Sequence, residues 1–303
     1  MKQLFSLTGR NLKQYLRDTG AIFFSLLSML IVIALMVFFL GDMNVDEITN
    51  VLALIPGRDA SQDKSNATLL VLCWTCAGII SINAVTVTLG CLSRMISDRT
   101  SGKMASIYTA PIDRLTIAVS YIFAAWLSSI IICAVTLALT EIYSIAQGLT
   151  PYTFSQHLQL LGLIAANSFT YASMMYFVAT LVKTEGAWSG MGTVIGTLVG
   201  FLGGIYIPIG ALSDSIGSLL KCTPVIYGTS LFRNVMTRSI LATTFDGAPA
   251  EMIAEYRKFM GIDLVVGETT VTTGQSIGIL LLCGSLFTLL STLNMHFEKK
   301  NDR

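Results

Sequence analysis

Long apolar runs dominate the pattern of hydrophobic and polar positions along this chain. A helix needs ~20 apolar residues to cross the hydrocarbon core of a membrane. Six stretches reach about this length: 21–40, 68–92, 115–140, 158–182, 187–207 and 275–296. The pattern therefore predicts an all-α membrane protein with six transmembrane helices.

The first run, 21–40, contains no charged residue, and basic residues precede it, as they do in a secretory signal peptide. The apolar region of a signal peptide is shorter, ~7–15 residues, and small residues at a cleavage site follow it. Residues 41–44 offer no such site. We therefore interpret this run as a membrane anchor.

Composition agrees with a lipid environment. Charged residues make up 12% of the chain and hydrophobic residues 53%, with a mean hydropathy of +0.69, whereas soluble proteins carry ~25% charged residues. The net charge of +1 argues against a broad basic surface for nucleic acid.

The few charges are distributed unevenly between the two sides of the predicted membrane. With six spans, one side holds residues 1–20, 93–114, 183–186 and 297–303. These segments contain twelve basic and six acidic residues, against seven basic and twelve acidic on the other side. Basic residues in short flanking loops mark the cytoplasmic side. We therefore expect both termini in the cytoplasm.

Two segments outside the spans have helical patterns of their own. Residues 1–18 place Leu4, Phe5, Leu12, Tyr15 and Leu16 on one face, and Arg10, Lys13 and Arg17 on another. This predicts an amphipathic helix at the membrane surface, acting either as an anchor or as a docking element for a cytoplasmic partner. The outer segment 208–274 is too long for a simple connector, and its pattern predicts short helices.

The sequence offers little chemistry for an enzyme. It has two histidines, no HExxH or GxSxG motif, and no carboxylate pair within a span. The spans also lack the buried charges that mark ion-coupled transport. We expect no enzyme activity from the chain alone, no bound metal and no bound cofactor.

Neutral polar residues remain in the spans, and Asn83 and Thr86 are the first candidates to line a substrate path. Hydrogen bonding between helices is the simpler interpretation of such residues. In the fifth span, Gly192, Gly196, Gly200 and Gly204 recur every four residues. Such a stripe lets two helix backbones approach closely, either between two subunits or within one.

The basic loop 93–114 lies between two spans, and it can form a surface helix that Gly102 ends. Together with its Asp98-Arg99 pair and the turn Ala110-Pro111-Ile112-Asp113-Arg114, this loop resembles that of ABC-2 type permease subunits of drug and polysaccharide exporters. A second family-like stretch runs from Gly203 through Pro208 to Thr223–Tyr227 and ends near Arg233. Many members have Glu and Thr where this chain has Thr100 and Lys103.

The resemblance implies an ABC-2 type transmembrane domain over residues 19–303, with residues 1–18 as a connecting helix. The loop 93–114 would couple to the ATPase, and short extracellular helices would precede the last span. It also implies pairing as a homodimer or heterodimer and two copies of a separate ATPase chain that bind ATP and magnesium. The residues that would couple to the ATPase are Arg94, Asp98, Arg99, Gly102 and Lys103. We expect Arg10, Lys13 and Arg17 to support that docking.

The sequence therefore predicts the permease subunit of an exporter that moves an amphipathic drug, peptide or lipid-like molecule outward. The alternative is a membrane scaffold or immunity protein that binds a partner without transport. An ATPase gene beside this one would favour transport, and its absence would favour the scaffold.

Overall fold

A computed structural model describes residues 2–35, 41–104, 109 and 112–301. The helices are α1 (Lys2–Leu16), α2 (Thr19–Leu35), α3 (Gly41–Leu52), α4 (Ala60–Thr100), α5 (Arg114–Ala146), α6 (Phe154–Leu181), α7 (Glu185–Leu202), α8 (Asp214–Lys221), α9 (Pro224–Met236), α10 (Arg238–Thr244), α11 (Ala250–Phe259) and α12 (Thr273–Asn301). A 3-10 turn, Ile209–Ala211, precedes α8. The strands β1 (Val265–Val266) and β2 (Thr269–Thr270) form an antiparallel hairpin with Val265 opposite Thr270.

Four of the described helices are long and apolar enough to cross a membrane: α4, α5, α6 and α12. Seventeen residues of α2 are described, and the last part of the predicted first span, 36–40, lies outside the described residues. The glycine-rich α7 has 18 residues and is not among the four.

The helix α4 differs most from its predicted span. It has 41 residues and includes the predicted span 68–92 as its central part. Asp59 caps its start, where the side chain accepts a hydrogen bond from the Ser61 N–H at 2.8 Å. No separate surface helix begins at 93, because nothing interrupts the helix before Gly102, whose φ of +75° ends it. Residues 105–108, 110 and 111 of the predicted loop lie outside the described residues.

Polar contacts between helices show their relative directions in the bundle. Cys91 of α4 lies 3.6 Å from Ser128 of α5, and Asn83 donates to Thr136 at 2.7 Å, so the two helices run antiparallel. Between α6 and α12, by contrast, the residue numbers at successive contacts increase in both helices. Thr170 donates to the Leu280 carbonyl and Asn294 to Thr180. The helices α6 and α12 therefore run parallel and begin at the same end of the bundle.

Glycines allow close packing at two of these crossings. A Cβ at Gly284 of α12 would lie 2.7 Å from the Phe169 ring of α6. A Cβ at Gly78 of α4 would lie 2.6 Å from Ile205, which follows α7. A larger residue at Gly284 would push α12 away from α6, and one at Gly78 would clash with Ile205.

The segment between α7 and α12 folds into a cap at one end of the bundle. Its longest helix, α9, packs against α4, α6 and α12. Arg58, in the loop before α4, holds this cap: it pairs with Asp63 at 2.6 Å and donates to the carbonyls of Thr244 and Asp246. The charge count predicts that this end faces outward, and this orientation stays a prediction.

The helix α1 is present over Lys2–Leu16, but its buried face differs from the predicted apolar face. Thr8, Asn11 and Tyr15 are buried, whereas Phe5 is 71% exposed. The reason is that α1 packs on α5 and α4, so its orientation follows from those neighbours rather than from a membrane surface.

Candidate functional site at the junction of α1 with the end of α4

The strongest concentration of charged side chains that contact one another lies where α1 meets the last turns of α4. We call it the α1–α4 junction, and it consists of Arg10, Asp18, Arg94, Asp98 and Tyr121. Its residues come from α1, α4, α5 and the turn between α1 and α2. It lies at the end of the bundle for which the charge count predicts a cytoplasmic position, and this orientation stays a prediction.

Asp98 is the centre of the junction and is 6% exposed. Arg10 donates to its Oδ2 at 2.8 Å, and the Tyr121 hydroxyl donates to the same oxygen at 2.9 Å. Burial lowers the pKa of Arg10, but the hydrogen bond and charge of Asp98 outweigh this effect, so the pKa is raised overall. The pair joins α1 to α4.

Two other predicted coupling residues, Arg94 and Arg99, also bond within the chain. Arg94 pairs with Asp18 in the α1–α2 turn. Arg99 donates to the Val182 carbonyl at the end of α6, at 3.0 Å. Thr100 donates to Glu185 of α7 at 3.0 Å. The last turns of α4 thus contact the α1–α2 turn, the end of α6 and the start of α7.

Of the predicted docking residues, only Arg10 joins this junction. Lys13 on α1 and Arg17 just after it are exposed. Lys103 follows Gly102, where an added Cβ would meet none of the described atoms within 4 Å. The positive φ of Gly102 turns the chain away from the axis of α4.

The buried face of α1 is unusually polar and incompletely hydrogen-bonded. Among the described residues, Thr8 Oγ1, Asn11 Nδ2 and Gln14 Oε1 are buried without a hydrogen-bond partner. Each such group costs about 1–3 kcal/mol relative to a paired one. The ion pair with Asp98 therefore adds a satisfied polar contact to the packing of buried Tyr15 that also attaches α1 to the bundle.

Asn83, the predicted path residue, lies in a network between three helices. Its Nδ2 donates to Thr136 of α5, and its Oδ1 accepts from Ser25 of α2 at 3.1 Å and from Thr86 at 3.2 Å. The side chain is 3% exposed. The structure thus shows the interhelical hydrogen bonding, and the role in a substrate path stays a prediction.

The glycine stripe is only partly a helical stripe. Because α7 ends at Leu202, Gly204 lies beyond it, with a φ of +61°. A Cβ at Gly192 would lie 3.0 Å from Leu89 of α4, and one at Gly200 would meet the Tyr206 ring at 2.4 Å. Gly196 has nothing within 4 Å of the same position. Gly192 and Gly200 are therefore packed within the subunit, whereas Gly196 is open.

Sequence reasoning missed the role of Arg233, which is fully buried beneath the cap. Its guanidinium lies 4.0 Å from the centre of the Trp74 ring and donates to the carbonyls of Gly204 at 2.8 Å and Met260 at 3.2 Å. Trp74 donates to the same Met260 carbonyl at 2.7 Å. Burial lowers the pKa of Arg233 to about 9, so it remains a cation at neutral pH.

This cluster joins α4 to the cap, because Trp74 belongs to α4 and the two carbonyls follow α7 and α11. A lone arginine in an apolar stretch such as Leu231–Val235 was the available signal. Such a residue requires a partner, but the sequence does not show which one.

The apolar helices and the junction define the class as a multi-pass membrane protein with a polar contact site at one end. The family described as "ABC-2 family transporter protein" matches residues 59–293. The chain therefore belongs to the ABC-2 family and is a membrane permease of an ABC transporter. The match leaves out α1, α2 and α3. No curated protein matches the chain significantly.

Proposed function

We propose that this chain is the permease subunit of an ABC exporter with six transmembrane helices, α2, α4, α5, α6, α7 and α12. It would move an amphipathic drug, peptide or lipid-like molecule outward across a bacterial plasma membrane. Separate ATPase chains, two per complex, would bind ATP and magnesium at its cytoplasmic end. Both termini would lie in the cytoplasm.

The observation that carries this proposal is the continuity of α4. Its 41 residues extend about 60 Å at 1.5 Å per residue, roughly twice the thickness of the hydrocarbon core. One end holds Asp98 in the α1–α4 junction, and Asp63 near the other end is joined to the cap through Arg58. Trp74, farther along the helix, contacts the cap through Met260. A displacement imposed on the junction would therefore reach the cap through one rigid element.

The polar face of α1 supports a movable attachment at the junction. Its unpaired buried groups make the docked position only moderately stable, so an ATPase that binds Lys13, Arg17 or Lys103 could shift the helix. Arg94, Asp98 and Arg99 would transmit that shift, because they contact the turn after α1, α1 itself and the end of α6, respectively.

A neutral polar network between three helices supports the proposed substrate class. It is formed by Asn83, Thr86, Thr136 and Ser25. Such a network suits hydroxyl and amide groups on an otherwise apolar molecule. Opening a path past Asn83 would require α2 and α5 to separate. The open face at Gly196 would pack against a second permease, identical or similar.

Co-purification tests the proposal. The tagged chain is expressed with the ATPase encoded beside it, extracted in detergent, and assayed for nucleotide hydrolysis. We expect a near-stoichiometric ATPase whose permease-dependent activity falls in the double variant Arg99→Glu, Lys103→Glu. Because Arg99 also bonds to Val182, the yield in the membrane is measured for every variant.

Lys64→Glu is the matched control, since Lys64 is an exposed cation at the opposite end of α4. It should leave hydrolysis unchanged. If the double variant stimulates the ATPase as the unaltered chain does, the coupling assignment is wrong. A chain that elutes without any nucleotide-hydrolysing partner would favour the membrane scaffold instead.

A further inference from the structure

A groove of about 490 Å³ lies between the starts of α6 and α12 and the end of α9. Apolar side chains form most of its walls, notably Leu158, Leu231, Val235 and Ile277. Arg238, the first residue of α10, lies at its rim. Its volume falls within the range typical of small-molecule sites, about 300–1,000 Å³.

The groove exists because two parallel helices separate at their starts. Farther along, α6 and α12 touch at Gly284, where the Phe169 ring leaves no room for a Cβ. Nearer their starts, α9 packs against both helices. Gly162 of α6 lines the groove, and a Cβ there would have nothing within 4 Å. The space is therefore open at a position that a side chain could fill.

The groove opens toward lipid rather than toward the centre of the bundle. Leu158, on its wall, is 64% exposed, and Leu282, farther along α12, is 71% exposed. Both helices are long and apolar enough to cross a membrane. An acyl chain of the surrounding bilayer can therefore enter from the side and cover apolar surface there.

The charge at the rim of the groove indicates which lipid headgroup would bind there. Arg238 is exposed and forms no ion pair within the part of the chain that the structure describes. No described carboxylate lines the groove, so its only charged lining residue is a cation. Arg238 and Thr273 lie at the starts of their helices, at the height where the apolar spans end. A phosphate group at this height would meet the guanidinium.

We infer that this groove binds one phospholipid with an anionic headgroup, its acyl chain beside Gly162 and its phosphate at Arg238. The site is separate from the α1–α4 junction and from the network around Asn83, and it does not depend on transport. The lipid would fill the gap between α6, α9 and α12 and so support the position of the cap.

The test is native mass spectrometry of the full chain in mild detergent, with dioleoyl phosphatidylglycerol and dioleoyl phosphatidylcholine added at equal concentration. We expect the unaltered chain to retain phosphatidylglycerol preferentially. Arg238→Gln should reduce the retained phosphatidylglycerol about five-fold, since one basic residue at a lipid surface contributes about 1 kcal/mol. It should leave the retained phosphatidylcholine unchanged.

Gly162→Leu should reduce the retention of both lipids, because the added side chain occupies the groove. Two variants serve as matched controls. Lys258→Gln removes an exposed cation of the cap that does not line this groove, and Gly190→Leu fills open space on α7. Both should match the unaltered chain.

Three results would overturn the inference: an unchanged lipid preference in Arg238→Gln, an equal loss in Lys258→Gln, or unchanged retention of both lipids in Gly162→Leu. Loss of a dimer, rather than of lipid, in Gly162→Leu would instead identify the groove as a contact between subunits and also overturn it. Arg238→Gln changes an exposed side chain, so the test stands even if Gly162→Leu does not fold.

Discussion

Replacing Arg10 with Met should destabilise this permease more than replacing Arg10 and Asp98 together. The single change removes the cation and leaves Asp98 buried, with only the Tyr121 hydroxyl as a donor. The double variant Arg10→Met, Asp98→Asn removes both charges and keeps an amide oxygen that can accept from Tyr121. An unpaired buried charge costs more than a neutral pair of similar shape.

The geometry sets the size of the effect. At 2.8 Å and an effective dielectric constant of about 20, the Coulomb attraction is about 6 kcal/mol, and desolvation of the two groups offsets most of it. Removing one partner of a fully buried pair costs about 3–5 kcal/mol, but a third of the Arg10 side chain is exposed, so we expect about 2 kcal/mol. Asp98→Asn should cost about 1 kcal/mol, because Arg10 can turn toward water.

The assay is unfolding of the purified chain by SDS in mixed detergent micelles, followed by circular dichroism, which gives the free energy of unfolding for each variant. Lys13→Met is the control, since Lys13 is an exposed cation on the same helix. If Arg10→Met stays within about 0.5 kcal/mol of the unaltered chain, the pair does not hold α1. A double variant at least as unstable as Arg10→Met would refute the buried-charge reasoning.

Three further changes test other parts of the structure by the same unfolding assay. Arg233→Lys keeps the charge but cannot stack on Trp74 while bonding both carbonyls, so it should cost about 1–3 kcal/mol, and an unchanged stability would contradict the planar fit. Gly228→Ala should cost about 1–3 kcal/mol, because its Cβ would lie 2.4 Å from Asn167 Oδ1; if adding Asn167→Ala does not reduce the cost, the contact is not its cause. Gly102→Ala should cost about 1–2 kcal/mol from its φ of +75°, since none of the described atoms lies within 4 Å of the added Cβ, and equal stability would mean that the turn relaxes freely.

The local pattern of the chain was enough to locate most helices, because the length of an apolar run depends on neighbouring residues alone. It also located the break at Gly102, where a glycine permits a turn that other residues resist. It could not show that α4 continues from Ala60 to Thr100, because its polar ends form a helix through contacts with α1, α6 and the cap.

The pairing of side chains was decided only by the tertiary structure. Arg10 and Asp98 are 88 residues apart, and their sequence neighbourhoods marked both as surface charges available to a partner. The fold instead buries the aspartate and pairs the two, because α1 packs across α5 and α4. Arg233 follows the same principle. The sequence shows an arginine among apolar residues, but its partners come from elements far apart in the chain: the Trp74 ring from α4 and the two carbonyls from the ends of α7 and α11. Burial and ion pairing depend on residues far apart in the chain, and therefore on the packing of the whole bundle.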